Sequence, residues 1–287
     1  MKERRIGVLG AGNMGAAIMR GLIAAKHVKP ESLCASDVSN DRLSHLKDEL
    51  HIVTTSSNHE LVKSADVVVL AVKPQTVASV LGEIGDTWQK DTLVLSILAG
   101  VSTATLEAKL PAAVRVIRAM PNTAAVVLES ATAVTRGTRA TEADIATALA
   151  LFGCVGKVVE VSESMMDAVT GLSGSGPAFV LLAIEAMADG AVRVGMPRAM
   201  ALELAAQTFA GTARMLLQSG EHPAVLKDRV TSPAGTTIAG LMELEAAGVR
   251  HAFAKAVARA AERAGELGRG PRSDERSADV GDKAIKR

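Results

Sequence analysis

The 287-residue chain has a net charge of +1, with 48% apolar and 22% charged residues. That is enough apolar material for one large or two ordinary domains, and no basic stretch is dense enough for a nucleic-acid surface. Cys34 and Cys154 both lie inside apolar runs and read as buried small hydrophobes of a reducing compartment, while the complete lack of tyrosine excludes a reductase built on a Tyr–Lys proton-donor pair.

The first strand is expected at residues 6–10, close enough to Met1 to leave no room for a signal peptide. It runs into Gly10, Gly12 and Gly15, spaced G-x-G-x-x-G, and then into an amphipathic helix over 13–25. Strand, tight turn and helix in that order read as a dinucleotide-binding unit, the alternative being a plain strand-to-helix turn. The first glycine makes the turn, the second lets backbone approach a pyrophosphate, and the third lets helix and strand pack closely.

Leu33 to Ser36 reads as the second strand, ending at Asp37, 22 positions after Gly15. An acidic residue there suits the adenosine ribose of NAD, or alternatively caps the next helix. Ser36, Ser39 and Arg42 suit NADP instead. A polar helix follows over 41–50, a short strand over 52–54 and a short helix over 58–64. Asp66 to Val72 is a continuous β-branched run, the mark of a parallel strand buried on both faces. It stops at Lys73-Pro74, at a carboxyl strand end, where ligands bind in open α/β sheets; Lys73 is a nucleotide-facing residue or a solvated loop lysine.

Further strands are expected over 92–98, 114–117, 131–135 and 157–161, the last two flanking a helix over 142–152. Ala99-Gly100 and Asn122-Thr123 fall at the same sheet edge. The count suits a doubly wound sheet with extra strands at one end. From Glu163 no strand-like run recurs. Segments 177–193, 198–218, 223–230, 236–247 and 249–267 are helical in period and rich in Ala, Leu and Met. Apolar positions wrap widely around 177–188, as expected of a subunit interface or of the central helix of a monomer. Glu185 and Asp189 keep that run short of a membrane span, so the expectation is a soluble, cytoplasmic protein.

Two stretches in the helical half carry chemistry. Asp167 to Ala178 contains Gly171, Gly174 and Gly176, which allow close approach to a nicotinamide or a tight helix crossing. Val230 to Ile238 places hydroxyls and a glycine at a helix start, where free N–H groups and the dipole suit a carboxylate. The β-hydroxyacid dehydrogenases have a catalytic lysine four residues after the last glycine of a G-x-x-G-x-G motif; here that position is Val180. None of the six histidines lies in a catalytic setting, and no His/Cys/Asp cluster has metal-ligand spacing, so no metal is expected. Hydride transfer without a strong protein acid requires a substrate that already holds its proton, and a cyclic iminium does.

Over residues 5–268 the chain resembles the pyrroline-5-carboxylate reductases. The resemblance rests on Gly10–Gly15, Ala71-Val-Lys-Pro-Gln75, Arg118-Ala-Met-Pro-Asn-Thr123, Thr170–Pro177, Ala186-Met-Ala-Asp-Gly190, His222-Pro223 with Leu226-Lys-Asp228, and Ser232–Thr237. It implies a Rossmann-type dinucleotide-binding domain at 1–162 and an all-α substrate and dimerisation domain at 163–268; the polar composition of 269–287, with alternating charges and scattered glycine, reads as a disordered tail. It implies reduction of 1-pyrroline-5-carboxylate to L-proline with NADPH or NADH, the last step of proline synthesis. Gly12, Asn13 and Met14 would hold the pyrophosphate, Ser36 and Asp37 the adenosine ribose, and Asn58 its 2′ position. Val72 and Lys73 would line the nicotinamide ribose, and Ala99 the ring. Glu163 would sit at the substrate end, with Ser232 in the substrate loop. Gly235, Thr236 and Thr237 would take the substrate carboxylate through N–H groups, and the Thr237 hydroxyl would serve the ring nitrogen. The family forms homodimers that assemble into a ring of five. One departure stands out. Ala234 replaces a glycine, so the loop is expected to shift rather than adopt a left-handed conformation there. A related imine reductase with another ring, or a nucleotide-binding protein without turnover, are the alternatives.

Overall fold

The computed structural model describes residues 4–269. They divide into two compact units: residues 4–174 with 259–269, and residues 175–258.

The first unit is built on β1 (Ile6–Leu9), β2 (Leu33–Ser36), β3 (Val53–Thr55), β4 (Val67–Leu70), β5 (Leu93–Ser96), β6 (Arg115–Met120), β7 (Ser130–Arg136) and β8 (Gly156–Glu160). They form one sheet in the order β3-β2-β1-β4-β5-β6-β7-β8. Every pairing is parallel except β6 with β7. The order reverses between β1 and β4, which is where open α/β sheets make their ligand crevice.

Helices α1 (Asn13–Ala24), α2 (Asn40–Leu50), α3 (Asn58–Ser64), α4 (Val77–Ile84), α5 (Thr103–Glu107) and α6 (Glu142–Gly153) flank the sheet. Alternation along β4 shows why both faces need cover. Val67 and Val69 pack into one apolar layer with α1, α2 and α6, and Val68 and Leu70 into the other with α3, α4 and α5. All four are at most 1% exposed. Each such side chain contributes about 1.5–3 kcal/mol of burial free energy, which commits the run to the middle of the sheet. Helices α4 and α5 were not legible in the sequence. α5 is one turn long, and the α4 segment Val77–Ile84 reads equally well as a short apolar strand.

After β8 the chain is continuously helical from Glu163 to Arg193. It passes through α7 (Met166–Val169) and a π-helical turn at Thr170–Gly174 into α8 (Gly176–Arg193). The glycine-rich stretch is therefore helix. Asn122 Nδ2 donates to the Ser173 carbonyl at 3.1 Å, and a Cβ at Gly174 would lie 2.8 Å from Met120 Cε, so this turn packs against the end of β6.

The second unit contains most of α8, α9 (Arg198–Ser219), α10 (Pro223–Arg229), α11 (Thr236–Ala246) and the start of α12 (Val249–Arg269). Its own core is small: Ala188, Ala201 and Ala205 are its buried cluster. Leu181, Leu182, Met187 and Met242 are more than half exposed, and Leu182 and Met187 line an apolar cleft of about 610 Å³. α12 continues through Gly268 to Arg269, so those residues belong to the helix and not to a tail. Residues 270–287, where the disordered tail was expected, lie outside the described residues. One helical stretch, Glu163–Arg193, is long and apolar enough by length and composition to cross a membrane.

Candidate active site

Two of the three loop glycines are sterically required. Gly10 has φ +100°, and a Cβ there would come within 2.6 Å of the Ala71 carbonyl at the end of β4. A Cβ at Gly15 would come within 2.3 Å of the Gly10 carbonyl oxygen. Gly12 differs: a Cβ would meet nothing within 4 Å. It is the N-cap of α1, with extended backbone, no side-chain cap and no acidic residue in the first turn. The first N–H groups of α1 therefore take no side-chain cap, as at a helix start left free for another acceptor.

Asp37 is tied into this loop. Its Oδ2 accepts from the Ala11 N–H at 2.9 Å, and its Oδ1 from the Ser39 N–H at 2.9 Å. The side chain is 8% exposed, and Arg42 Nη1 lies 3.9 Å away. It is Ser39, not Asp37, that caps α2. From the end of β2 the carboxylate braces the glycine turn between β1 and α1, a contact that neither expectation for Asp37 includes. Ser36 Oγ donates to Asn58 Oδ1 at 2.8 Å, and Asn58 Nδ2 donates to Glu83. Val72 and Ala99 are half-buried at the ends of β4 and β5, and Lys73 is exposed. The expected cofactor residues Gly10, Gly12, Asn13, Met14, Gly15, Ser36, Asp37, Asn58, Val72, Lys73 and Ala99 thus lie at or after the carboxyl ends of β1, β2, β3, β4 and β5.

Glu163 is held more firmly than the sequence suggested. Arg118 Nη1 donates to its Oε1 at 2.5 Å, and Thr103 Oγ1 to its Oε2 at 3.0 Å. The sequence names Arg118 within a motif but does not pair it with Glu163, and it does not mark Thr103. The available signal was a charged residue inside the apolar strand run at Val114–Ala119, which a sheet tolerates only with a partner.

In the second unit the loop before α11 is a four-residue turn. Gly235 N–H donates to the Ser232 carbonyl at 3.1 Å, Pro233 takes the second position, and Ala234 takes the third with φ +54°. The loop is therefore not shifted, contrary to expectation: Ala234 adopts the left-handed conformation outright. Gly235 is extended and N-caps α11 without a side-chain cap. Its N–H is engaged within the turn, so the expected carboxylate contact through Gly235 N–H is corrected. The next donors, the N–H groups of Thr236 and Thr237, have no partner among the described residues. Ser232, Thr236 and Thr237 are exposed.

Other reactive groups are accounted for structurally. Burial pushes the Cys34 thiol up to about 11 and raises that of Cys154, which donates to the Ala150 carbonyl. Neither is a thiolate nucleophile. His222 Nδ1 accepts from the Ala224 N–H and caps α10. No cluster of three or more His, Cys, Asp or Glu able to hold a metal occurs among the described residues.

Two family profiles match. One described as pyrroline-5-carboxylate reductase dimerisation covers residues 163–267, and one described as NADP oxidoreductase, coenzyme F420-dependent, covers residues 5–100. A pyrroline-5-carboxylate reductase of Methanosarcina acetivorans is 52% identical over 94% of this chain and 100% of its own. The chain belongs to the pyrroline-5-carboxylate reductase family. The Escherichia coli pyrroline-5-carboxylate reductase is 44% identical over 92% of this chain and 98% of its own. Among solved structures, the family member from Coxiella burnetii has a TM-score of 0.87 at 37% identity, covering 93% of this chain and 99% of its own. The Plasmodium falciparum enzyme, crystallised with NADP, has a TM-score of 0.83 at 31% identity with the same coverage. A Rossmann-type domain followed by a helical dimerisation domain is thus the family's architecture and this chain's.

Proposed function

We propose that this chain reduces 1-pyrroline-5-carboxylate to L-proline with a reduced nicotinamide dinucleotide, closing proline biosynthesis. The carrying observation is one geometry used twice. α1 and α11 each start on a glycine N-cap with extended backbone and no side-chain cap. Two open helix N-termini suit the two anions of this reaction, a diphosphate and a substrate carboxylate.

The dinucleotide supplies the hydride. Gly12, Asn13 and Met14 would hold its diphosphate through N–H groups, with Ser36, Asp37 and Asn58 on the adenosine side and Val72, Lys73 and Ala99 on the nicotinamide side. Thr236 and Thr237 would take the substrate carboxylate, with Ser232 shaping the turn and Glu163 at the substrate end. The hydride adds to the imine carbon while the ring nitrogen keeps its proton, so no protein group need donate one. Orientation supplies most of the rate, and the Thr237 hydroxyl, as the catalytic contact, fixes the ring nitrogen. The missing tyrosine and the valine at position 180 are consistent with this economy.

NADPH is the favoured cofactor in this reading, with NADH accepted. Arg42 stands beside Asp37 with its side chain 62% exposed, a cation on the adenosine side that suits a 2′-phosphate. The dimerisation domain makes this an oligomer; a homodimer through the apolar faces of α8 and α9, and a ring of five dimers, complete the reading. The same association would cover the apolar stretch Glu163–Arg193 without a membrane, in a cytoplasmic enzyme. Initial rates on pyrroline-5-carboxylate with each cofactor test the proposal. It requires NAD(P)H oxidation and proline formation, and it fails if purified protein gives neither.

A further inference from the structure

Arg118 is a charge inside a sheet. It lies on β6, in register with Ser96 of β5 and Thr135 of β7, and Val116, Ile117 and Ala119 beside it are fully buried. Its side chain is only 4% exposed. A guanidinium in such a place needs a partner. Among the described residues it has one: Nη1 donates to Glu163 Oε1, while Nε and Nη2 find no hydrogen-bond partner. The other Glu163 oxygen is taken by Thr103, itself 7% exposed at the start of α5. The carboxylate is thus gripped from two buried side chains, yet 34% of the Glu163 side chain stays open to solvent. Glu163 also heads the helical stretch that reaches the π-turn at Thr170–Gly174.

We propose that Arg118 is a positioning residue. With Thr103 it fixes the open edge of the Glu163 carboxylate and anchors the helical segment 163–174. The proposal rests on the assignment of Glu163 to the substrate end. A carboxylate offers about four acceptor sites. Two are used from behind, and the rest remain for a donor arriving at the substrate end. A carboxylate held at two points gives up little freedom when that donor arrives. Lysine would not replace the arginine fully, because its ammonium is a point charge on a flexible stem rather than a planar fork.

The test uses the full-length enzyme with Thr103→Val, Arg118→Lys and Glu163→Gln. Thr103→Val and Arg118→Lys should each raise KM for pyrroline-5-carboxylate about fivefold or more and leave KM for NADPH within about twofold. In the Glu163→Gln background, Arg118→Lys should change KM by less than about twofold, because the group it positions is gone. Amide exchange across 163–174 should accelerate in Thr103→Val and Arg118→Lys while that of β1 stays as in the wild type. Unchanged substrate KM, multiplying effects in the Glu163→Gln background, or wild-type exchange across 163–174 would each overturn the proposal. If the wild type itself does not reduce pyrroline-5-carboxylate, the functional reading fails instead, and the exchange measurement still decides whether Arg118 holds the segment.

Discussion

Ala234→Gly is expected to stabilise the protein. Ser232-Pro233-Ala234-Gly235 is closed by the Gly235 N–H to Ser232 carbonyl bond, with proline second and a positive φ third. That is the arrangement of a type II turn, whose third position favours glycine because only a residue without Cβ enters the left-handed region freely. At φ +54° the alanine Cβ costs about 1–2 kcal/mol. Glycine returns part of that through its larger unfolded-state entropy, about 0.5–1 kcal/mol. Ala234 is exposed, so deleting its methyl group sacrifices no packing. The net gain is about 0.5–1 kcal/mol, or about 1–3 °C in Tm for a chain of this size. The assay is urea denaturation at one fixed protomer concentration, since association shifts apparent stability. The midpoint should rise with an unchanged m-value. A fall in the midpoint would refute the reasoning, because it would mean Ala234 is not held left-handed in solution. Ala234→Val supplies the opposite sign: a β-branched residue at the same φ should lower the midpoint.

Thr237→Ala should lower kcat/KM by roughly one to three powers of ten, as expected for a hydrogen bond to a charged group of about 1.5–3 kcal/mol plus some orientation; steady-state kinetics at saturating NADPH check it. Gly12→Ser places a side chain where nothing in the chain obstructs it, so thermal stability should hold or rise slightly through a new N-cap, while fluorescence titration should show NADPH affinity falling about tenfold or more. The buried Cys34 thiol is raised from its ordinary 9.0 to about 11. The unfolded chain then loses this proton before the folded one, so stability should decline as pH rises from about 9 to 11. Thiol labelling of the native protein at pH 8 should be correspondingly slow at this position, followed by mass spectrometry.

The fold was largely legible because its signals are local and repeated. The valine-rich run at Val67–Leu70 reads as a doubly covered strand, and the three glycines read as a turn because a strand precedes them and a helix follows. What escaped was set by distant partners. Asp37 looked like a ribose acceptor or a helix cap because both readings use neighbours in sequence. One of its two backbone partners, the Ala11 N–H, is 26 residues back. Arg118 and Glu163 are 45 residues apart, and nothing in either local pattern points to the other. Ala234 is the intermediate case. Its departure from glycine was visible, but whether the loop would move or bear the strain depended on the Ser232–Gly235 bond and on Pro233 fixing the preceding φ.

The strain at Ala234 and the open starts of α1 and α11 belong to one argument. Ser39, Ser57, Ser102 and Thr141 cap α2, α3, α5 and α6 with their side chains, and each such cap is worth about 1 kcal/mol. α1 and α11 go without, although a serine at position 12 would fit. At α11 the reason is partly steric: a Cβ on Gly235 would stand 2.2 Å from Ser232 Oγ. The turn that places Ser232 there also requires the left-handed residue before Gly235. A side-chain cap is thus forgone at both helix starts, as it also is at α4, α8 and α9, and strain is added at one of them. In the proposed reading, α1 and α11 are the two starts whose free N–H groups would meet an anion.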